Sequence, residues 1–178
     1  MTENRKAEDV PTATGKLAQV WFGVTEEMKT PRPVRIADAV VNSHFCGQIS
    51  LFVHTDCWDT GVVYVQAGGD TAVFSMENAD DGTADEWYGP TQEFYFIIAG
   101  EFTVSYDTDA ARLRRKESPR YVVHAGEYAV HPVGWKYQIQ CTSATPGTYL
   151  WCKHIPTGLA IKERLQLPLD GTPPGPVR

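Results

Sequence analysis

Residues 91–107 read TQEFYFIIAGEFTVSYD, and this stretch limits the fold of the chain more than any other. Glu93, Tyr95 and Ile97 alternate onto one face of a predicted strand. The strand ends at Gly100, and a second run rich in Val, Phe and Tyr follows at once, which is typical of antiparallel strands joined by a tight turn. A single carboxylate thus stands in phase with apolar residues at the start of a strand.

A second stretch, residues 125–140, reads AGEYAVHPVGWKYQIQ. Gly126 is followed after five residues by Pro132, and Gly134 completes a Pro-x-Gly turn. One short strand is predicted before this turn and another after it, beginning near Lys136. The two stretches together predict four short strands.

The rest of the chain repeats the same pattern of short runs rich in Val, Ile, Tyr, Phe and Thr that end at Gly, Pro, Asp or Asn, which indicates an all-β chain. Helical periodicity is weak and limited to residues 31–41 and 157–165, which predict short flanking helices. This many short strands in one domain requires a sandwich or a closed barrel, because an open sheet would expose its edges. The further runs are GQISLFVHT, GVVYVQAG, TAVFSME, RYVVHAG and TYLWCKHI.

Together the two stretches resemble the paired motifs of the cupin superfamily. The first cupin motif reads Gly, five residues, His-x-His, three or four residues, Glu, six residues, Gly; the second reads Gly, five residues, Pro-x-Gly, two residues, His. Glu93 and Gly100 match the end of the first motif, and the glycines and proline of residues 126–134 match the second. The resemblance covers roughly residues 60–155. It implies a double-stranded β-helix, the RmlC-like jelly-roll barrel, and commonly a homodimer.

The chain departs from the cupin pattern at every histidine ligand position. The His-x-His positions hold Glu86 and Tyr88, and the second-motif histidine position holds Tyr137. A cupin with the full pattern would bind iron, manganese, nickel or zinc through three imidazoles and a carboxylate. The resemblance therefore leaves open a divalent metal held by Glu93 with His131, which precedes the turn at a barrel mouth, and it also leaves open a site without metal.

Glu93 is the central candidate for catalysis, because a carboxylate facing the interior of a barrel needs a metal, a cation or hydrogen-bonding partners. Tyr137 and Tyr95 are the further catalytic candidates, since a phenol can serve as a general acid. A surface position for Glu93 and plain core packing for the tyrosines are the alternative interpretation. The residues expected to contact a substrate are Glu86, Tyr88, Tyr128 and Trp135.

These residues lead to the expectation of a small-molecule enzyme of the dioxygenase, isomerase or lyase type, with its chemistry in the barrel cavity around Glu93. One alternative is a metal-free epimerase or cyclase, in which Glu93 and a tyrosine act as an acid and base pair. Another is a non-catalytic barrel that binds a small ligand. A regulatory or structural homodimer with a filled barrel is the third.

Composition limits the partners and the compartment. The chain has 16 Lys and Arg against 22 Asp and Glu, and its formal charge of −6 opposes binding to nucleic acid or to anionic membranes. No apolar run approaches the roughly 20 residues that cross a bilayer, so a cytoplasmic protein is expected. Cys46, Cys57, Cys141 and Cys152 form no CxxC pair and are expected as reduced core thiols, with a bridge between Cys141 and Cys152 as the alternative.

The chain of 178 residues, 42% of them hydrophobic, predicts one domain with one substantial core. Residues 1–15 are polar and are expected to form a flexible arm. The barrel domain is assigned to residues 16–165. Residues 166–178 are rich in proline and glycine, which argues against a helix or a central strand, so they are expected to form a tail.

Overall fold

The computed structural model describes residues 28–44, 46–55, 58–71, 74–75, 92–132 and 135–154. The predicted N-terminal arm, the C-terminal tail and the predicted helix at residues 157–165 lie outside these ranges. The described residues form eleven strands and one short helix. The strands are β1 (Val40–His44), β2 (Gly47–Leu51), β3 (Val53–His54), β4 (Trp58–Val65), β5 (Phe74–Ser75), β6 (Gln92–Ala99), β7 (Glu101–Asp107), β8 (Arg120–His124), β9 (Tyr128–His131), β10 (Lys136–Cys141) and β11 (Gly147–His154), and the helix is α1 (Ala110–Arg114).

The strands form two antiparallel sheets that share one core. The seven-stranded sheet has the order β1-β2-β4-β11-β6-β9, with β3 paired to β4, and the four-stranded sheet has the order β5-β10-β7-β8. Gly100, at φ +88°, leads from β6 in the larger sheet to β7 in the smaller one, and Gly126, at φ +91°, leads back from β8 to β9. Glycine adopts these left-handed conformations without the steric cost of a side chain. The chain passes repeatedly between the sheets, which is the jelly-roll arrangement that the sequence predicts.

The core lies between the inward faces of the two sheets. Ile97 and Tyr149 from the larger sheet meet Phe102, Val104 and Ile139 from the smaller one, and each of these side chains is at most 1% exposed. The rings of Phe102 and Tyr149 meet edge to face, with their centroids 5.4 Å apart. Buried and more exposed residues alternate along β6 and β10, because successive side chains of a strand point to opposite faces of the sheet.

Gly147→Ala should destabilise the fold, because a Cβ at this position would lie 2.4 Å from Cζ of the fully buried Phe102 ring. Overpacking of this kind costs about 1–3 kcal/mol. Urea denaturation of the variant should show an earlier midpoint with an unchanged slope. The double variant Gly147→Ala/Phe102→Leu, which shortens the opposing side chain, should recover part of the loss, and an unaltered midpoint in the single variant would contradict this account of the contact.

The prediction of a helix at residues 31–41 is wrong. Ile36–Asp38 forms only a single 3₁₀ turn, and Val40–His44 pairs with β2, with Val40 opposite Leu51. The β-branched valines fit the pleated surface of a sheet better than a helix, and pairing with β2 overrides the weak helical pattern.

The helix of the described chain lies instead at α1, between β7 and β8. The Asp109 side chain caps it by accepting a hydrogen bond of 2.8 Å from the amide of Ala111. The buried face of the helix contains Ala110 and Leu113. Within the described ranges, no helix is long and apolar enough to cross a membrane.

Cys46, Cys141 and Cys152 are free thiols, as expected, while Cys57 lies outside the described residues. The alternative of a bridge between Cys141 and Cys152 is wrong. Cys141 belongs to β10 in the four-stranded sheet, whereas Cys152 belongs to β11 in the seven-stranded sheet. The alternative required the two runs to be neighbouring strands, and the passage of the chain between sheets separates them.

Candidate functional site

A buried cluster of one carboxylate and two phenols lies where β6 begins. Glu93 is only 5% exposed, in phase with the buried side chain of Tyr95. The Tyr137 hydroxyl donates a hydrogen bond of 2.7 Å to Glu93 Oε2. The hydroxyls of Tyr95 and Tyr137 lie 2.8 Å apart, and the Tyr95 hydroxyl is 3.3 Å from the same carboxylate oxygen.

These distances indicate which hydroxyl donates and which atom accepts in each hydrogen bond of the cluster. Tyr137 has one hydroxyl hydrogen, and its short contact to Glu93 assigns that hydrogen to the carboxylate. Tyr95 then donates along the shorter of its two contacts, to the Tyr137 oxygen. The three groups form a chain of hydrogen bonds that runs from Tyr95 through Tyr137 to Glu93.

Burial sets the protonation states of this chain. It raises the pKa of Glu93, against the opposing effects of the Lys153 charge and of the nearby Tyr137 and Tyr95 hydroxyls. Burial and the nearby Glu93 charge raise the pKa of Tyr137 well above its usual value. Tyr137 therefore stays protonated as a donor, and Glu93 exchanges its proton closer to neutral pH than an exposed glutamate does.

His131 completes the cluster from β9, directly across from Glu93. Its ring is fully buried and stacks on Tyr137, with centroids 3.8 Å apart and an interplanar angle of 18°. Tyr95 meets the same ring edge to face at 4.4 Å. Neither ring nitrogen has a hydrogen-bond partner among the described residues. Burial lowers the pKa of His131 to about 3, so the ring is a neutral imidazole with one donor and one acceptor nitrogen.

Strand register extends this cluster into a row of five buried polar side chains across the seven-stranded sheet. The Cα partners are His54 with Asp59, Asp59 with Lys153, Lys153 with Glu93, and Glu93 with His131, on β3, β4, β11, β6 and β9. Their exposures range from 0% to 6%. Directly opposed residues point to the same face, with Cβ atoms about 5 Å apart. We call this set the polar row, and it forms one end of the core face of the sheet.

The far end of the polar row is a hydrogen-bonded pair. His54 Nδ1 lies 2.7 Å from Asp59 Oδ1, and both residues are 4% exposed. Burial raises the pKa of Asp59, while His54 and Lys153 oppose that shift. With Asp59 ionised the carboxylate only accepts, so Nδ1 of His54 donates the hydrogen. The polar row thus places Lys153 between two buried carboxyl groups.

Solved structures identify the fold, although no protein-family model and no curated protein matches the chain in sequence. KdgF from Halomonas sp. matches with a TM-score of 0.54 and 11% identity over 72% of this chain and 97% of that one. An RmlC-like cupin from Shewanella frigidimarina matches with a TM-score of 0.52 and 12% identity, over 72% of this chain and 94% of that one. The cupin domain of Schizosaccharomyces pombe Cnp3 matches with a TM-score of 0.51 and 13% identity, over 69% of this chain and 73% of that one. The chain has the cupin fold. Cupins include both enzymes and non-enzymatic proteins, so the fold leaves the chemistry to the site.

Two of the cupin ligand positions meet in this structure. In the motif resemblance Glu93 takes the carboxylate position and Tyr137 the second-motif histidine position, and in the structure the two are in direct hydrogen-bond contact. The register that the sequence motifs predict is therefore consistent with the structure. A phenol whose pKa is raised remains protonated, so Tyr137 acts as a hydrogen-bond donor in the place of an imidazole ligand.

The donor set of the described residues does not fit a divalent metal. Glu93 and His131, the pair expected to hold iron, nickel, manganese or zinc, are cross-strand partners. No group of three His, Cys, Asp or Glu side chains that could hold a metal occurs in the described ranges. Two ligands are fewer than the three or more that protein sites for these metals use.

The structure brings together four of the predicted site residues: Glu93, Tyr95, Tyr137 and His131. Two others, Glu86 and Tyr88, lie outside the described residues. Trp135 stands just before β10 and is 40% exposed, so it is not a member of the buried cluster.

The prediction that Tyr128 faces the interior is wrong. Its ring is 61% exposed and packs against Phe94 and Phe96 on the outer face of the seven-stranded sheet. The period of two along β9 explains this, because Ala129 and His131 take the inward positions and leave Tyr128 on the opposite face. Tyr128 therefore offers a surface control for the buried tyrosines.

Sequence reasoning missed Asp59, Lys153 and His54. A signal for two of them was present in the strand phase: Asp59 lies two residues before the inward Gly61, and Lys153 lies two residues after the inward Trp151. A charged residue in phase with buried apolar residues near a strand end is an inward-facing charge. No sequence signal places these two strands beside Glu93, because their order in the sheet is not their order in the chain.

A separate polar cleft lies outside the core, where the outward residues of β7 and β10 meet α1. Its volume is about 20 Å³, and its lining includes Asp70, Lys116, Arg120 and Gln138. A space of this size admits about one water molecule. The cleft is therefore too small for an organic substrate.

Proposed function

We propose that this cupin is a metal-free enzyme that transfers a proton on a small organic molecule, in the manner of an isomerase or epimerase, with Glu93 as the proton acceptor. The supporting observation is the hydrogen-bond chain at Glu93, in which a buried carboxylate accepts from Tyr137, which accepts in turn from Tyr95. A general base works best when its pKa lies near the working pH, and burial moves Glu93 in that direction.

The proposed reaction needs no co-reactant. Ionised Glu93 takes a proton from a carbon next to a carbonyl group, and the C–H electron pair moves into the carbonyl to give an enolate. Once Glu93 carries the proton, the Tyr137 hydroxyl can turn its hydrogen from the carboxyl group to the enolate oxygen. Return of the proton from Glu93 to a different carbon gives an isomer, and return to the same carbon gives an epimer only where the enolate first turns its other face to Glu93. Either return regenerates the carboxylate.

A second candidate is a non-catalytic barrel, and the enclosure of the cluster favours it. Glu93, Tyr95, Tyr137 and His131 are each at most 5% exposed, as expected for a polar network that only stabilises a core. The two nitrogens of His131 could each form a hydrogen bond with a bound molecule, in an enzyme or in a binding barrel. Buried polar atoms are normally paired in a structural network, and these two have no partner among the described residues.

Solvent deuterium exchange tests the proposal directly. The protein is incubated in D₂O with a panel of small carbonyl compounds, and loss of the C–H signal is followed by NMR. We expect exchange with at least one compound class. Tyr137→Phe should slow this exchange about 100-fold, because it removes the donor at 2.7 Å from Glu93. The matched control Tyr128→Phe changes the same atoms on the outer face and should leave the rate within about twofold.

Two outcomes would reject the enzyme. Equal loss of exchange in both tyrosine variants would show that the effect does not arise at Glu93. An absence of exchange across the whole panel, together with an unchanged small molecule found by native mass spectrometry of the purified protein, would replace the enzyme with the binding barrel.

A further inference from the structure

Lys153 occupies the middle of the polar row. On one side its cross-strand partner is Asp59 of β4, and on the other it is Glu93 of β6. Lys153 is itself only 6% exposed. By strand register one buried lysine thus stands between two buried acidic residues, and its charge opposes the rise in the pKa of both.

We propose that Lys153 is a positioning residue that sets the protonation state of Glu93, and that the Asp59–His54 pair controls how much of the Lys153 charge acts on Glu93. The inference rests on the proposed role of Glu93 as proton acceptor, and it assigns functions to three residues that the cupin motifs do not include. Lys153 and Asp59 act on the same carboxyl group with opposite signs, since the cation favours ionised Glu93 and the anion disfavours it.

Every neighbour of Glu93 in the described ranges fits this division of roles. Tyr137 and Tyr95 contact its carboxylate, and His131 opposes it from β9 as a neutral ring. The Cys152 thiol next to Lys153 has a raised pKa, so it is uncharged at neutral pH. Lys153 is therefore the positive charge that the described structure places beside Glu93.

The hydrogen bond between His54 and Asp59 explains why the pair adjusts this effect. His54 Nδ1 lies 2.7 Å from Asp59 Oδ1, and this contact opposes the rise in the pKa of Asp59 that burial causes. Ionised Asp59 then competes with Glu93 for the Lys153 charge. Loss of the Asp59 charge should leave Lys153 acting on Glu93 alone.

Carbon-13 NMR of protein labelled at the glutamate side-chain carboxyl carbon measures the Glu93 titration directly, with the resonance assigned by its absence in Glu93→Gln. Lys153→Met should move the Glu93 midpoint upward by at least about one pH unit, because it removes an opposite charge at cross-strand distance. Asp59→Asn should move the midpoint downward. Lys153→Arg, which keeps the charge, should restore most of the wild-type midpoint.

The opposite signs make the test decisive. Shifts in the same direction for Lys153→Met and Asp59→Asn, or no shift in either, would overturn the inference. Asp59→Asn keeps the shape of the side chain and one of its oxygens. The Glu93 midpoint can therefore be measured in this variant even if Lys153→Met does not fold. The titration is read without substrate, so a protein that shows the two shifts but no exchange would retain this inference while losing the proposed enzyme.

Discussion

Glu93→Gln should abolish proton exchange and, at the same time, make the protein more stable above neutral pH. The amide keeps an oxygen that can accept the Tyr137 hydroxyl hydrogen, but it cannot take a proton from a substrate. Loss of a general base typically costs a factor of about 10²–10⁴, so we expect a reduction of at least about 1,000-fold. A gain in stability from the same change would indicate that the carboxylate is retained for chemistry.

The sign of the stability effect follows from the raised pKa of Glu93. A carboxyl group with a raised pKa in the folded state binds its proton more tightly there than in the unfolded chain. Its contribution to stability is therefore full below the unfolded pKa and is lost as the pH rises through the folded pKa. The amide side chain of the Glu93→Gln variant is neutral at every pH and would not suffer that loss.

The measurement is the free energy of unfolding in urea for wild type and Glu93→Gln at a series of pH values from about 4 to 9. The two curves should converge at low pH and separate as the pH rises, with the variant above. Asp38→Asn, an acid-to-amide change at an exposed position, is the control and should follow wild type throughout. A variant that is less stable than wild type at every pH would show that the ionised carboxylate stabilises the core, contrary to the proposed role.

The fold could be predicted from local sequence patterns because strands and turns depend largely on neighbouring residues. Alternating side chains define each strand, and the glycines at positions 100 and 126 mark the two turns with positive φ. The cupin spacing also placed Glu93 and Tyr137 at one site, although the two residues are 44 positions apart in the chain. The prediction of a helix at residues 31–41 failed because the helical periodicity there is weak and because pairing of β1 with β2 is a tertiary effect.

The rest of the site depends on sheet order, which a single sequence does not encode locally. Asp59, Lys153 and Glu93 come from three separate stretches, and only the adjacency of β4, β11 and β6 makes them neighbours. The placement of Tyr128 failed for a different reason. The Tyr128 ring was expected in the core because aromatic side chains are usually buried. In β9, however, the inward-facing positions are Ala129 and His131.

His131→Phe should remove most of the acid sensitivity that this site contributes to the fold. The pKa of His131 is lowered to about 3 in the folded protein, against 6.5 in the absence of burial. The unfolded chain therefore takes up a proton on His131 as the pH falls below 6.5, while the folded protein does not, and the stability due to this group is lost as the pH falls toward 3. The loss is about 1.4 kcal/mol per pH unit, or ~3 kcal/mol near pH 4.5.

Phenylalanine suits this test because it keeps the stack on Tyr137 and the edge contact with Tyr95, yet cannot bind a proton. Glu93 and Asp59 also titrate in acid, with the opposite sign, but they are present in both proteins and cancel in the difference. Urea denaturation between about pH 7 and pH 4 should show a shallower decline for His131→Phe than for wild type. Tyr128→Phe, which changes an exposed aromatic ring on the outer face, should leave the slope of wild type unchanged.

Parallel curves for His131→Phe and wild type would mean that the folded protein binds the same proton on His131 as the unfolded chain does. A protonated imidazole directly across from Glu93 would form an ion pair with it and hold the carboxylate ionised. Such a pair would lower the pKa of Glu93 and weaken it as a base at neutral pH. The neutral state of His131 is thus a condition for the acid and base role of Glu93, and the acid slope of stability tests it without knowledge of the substrate.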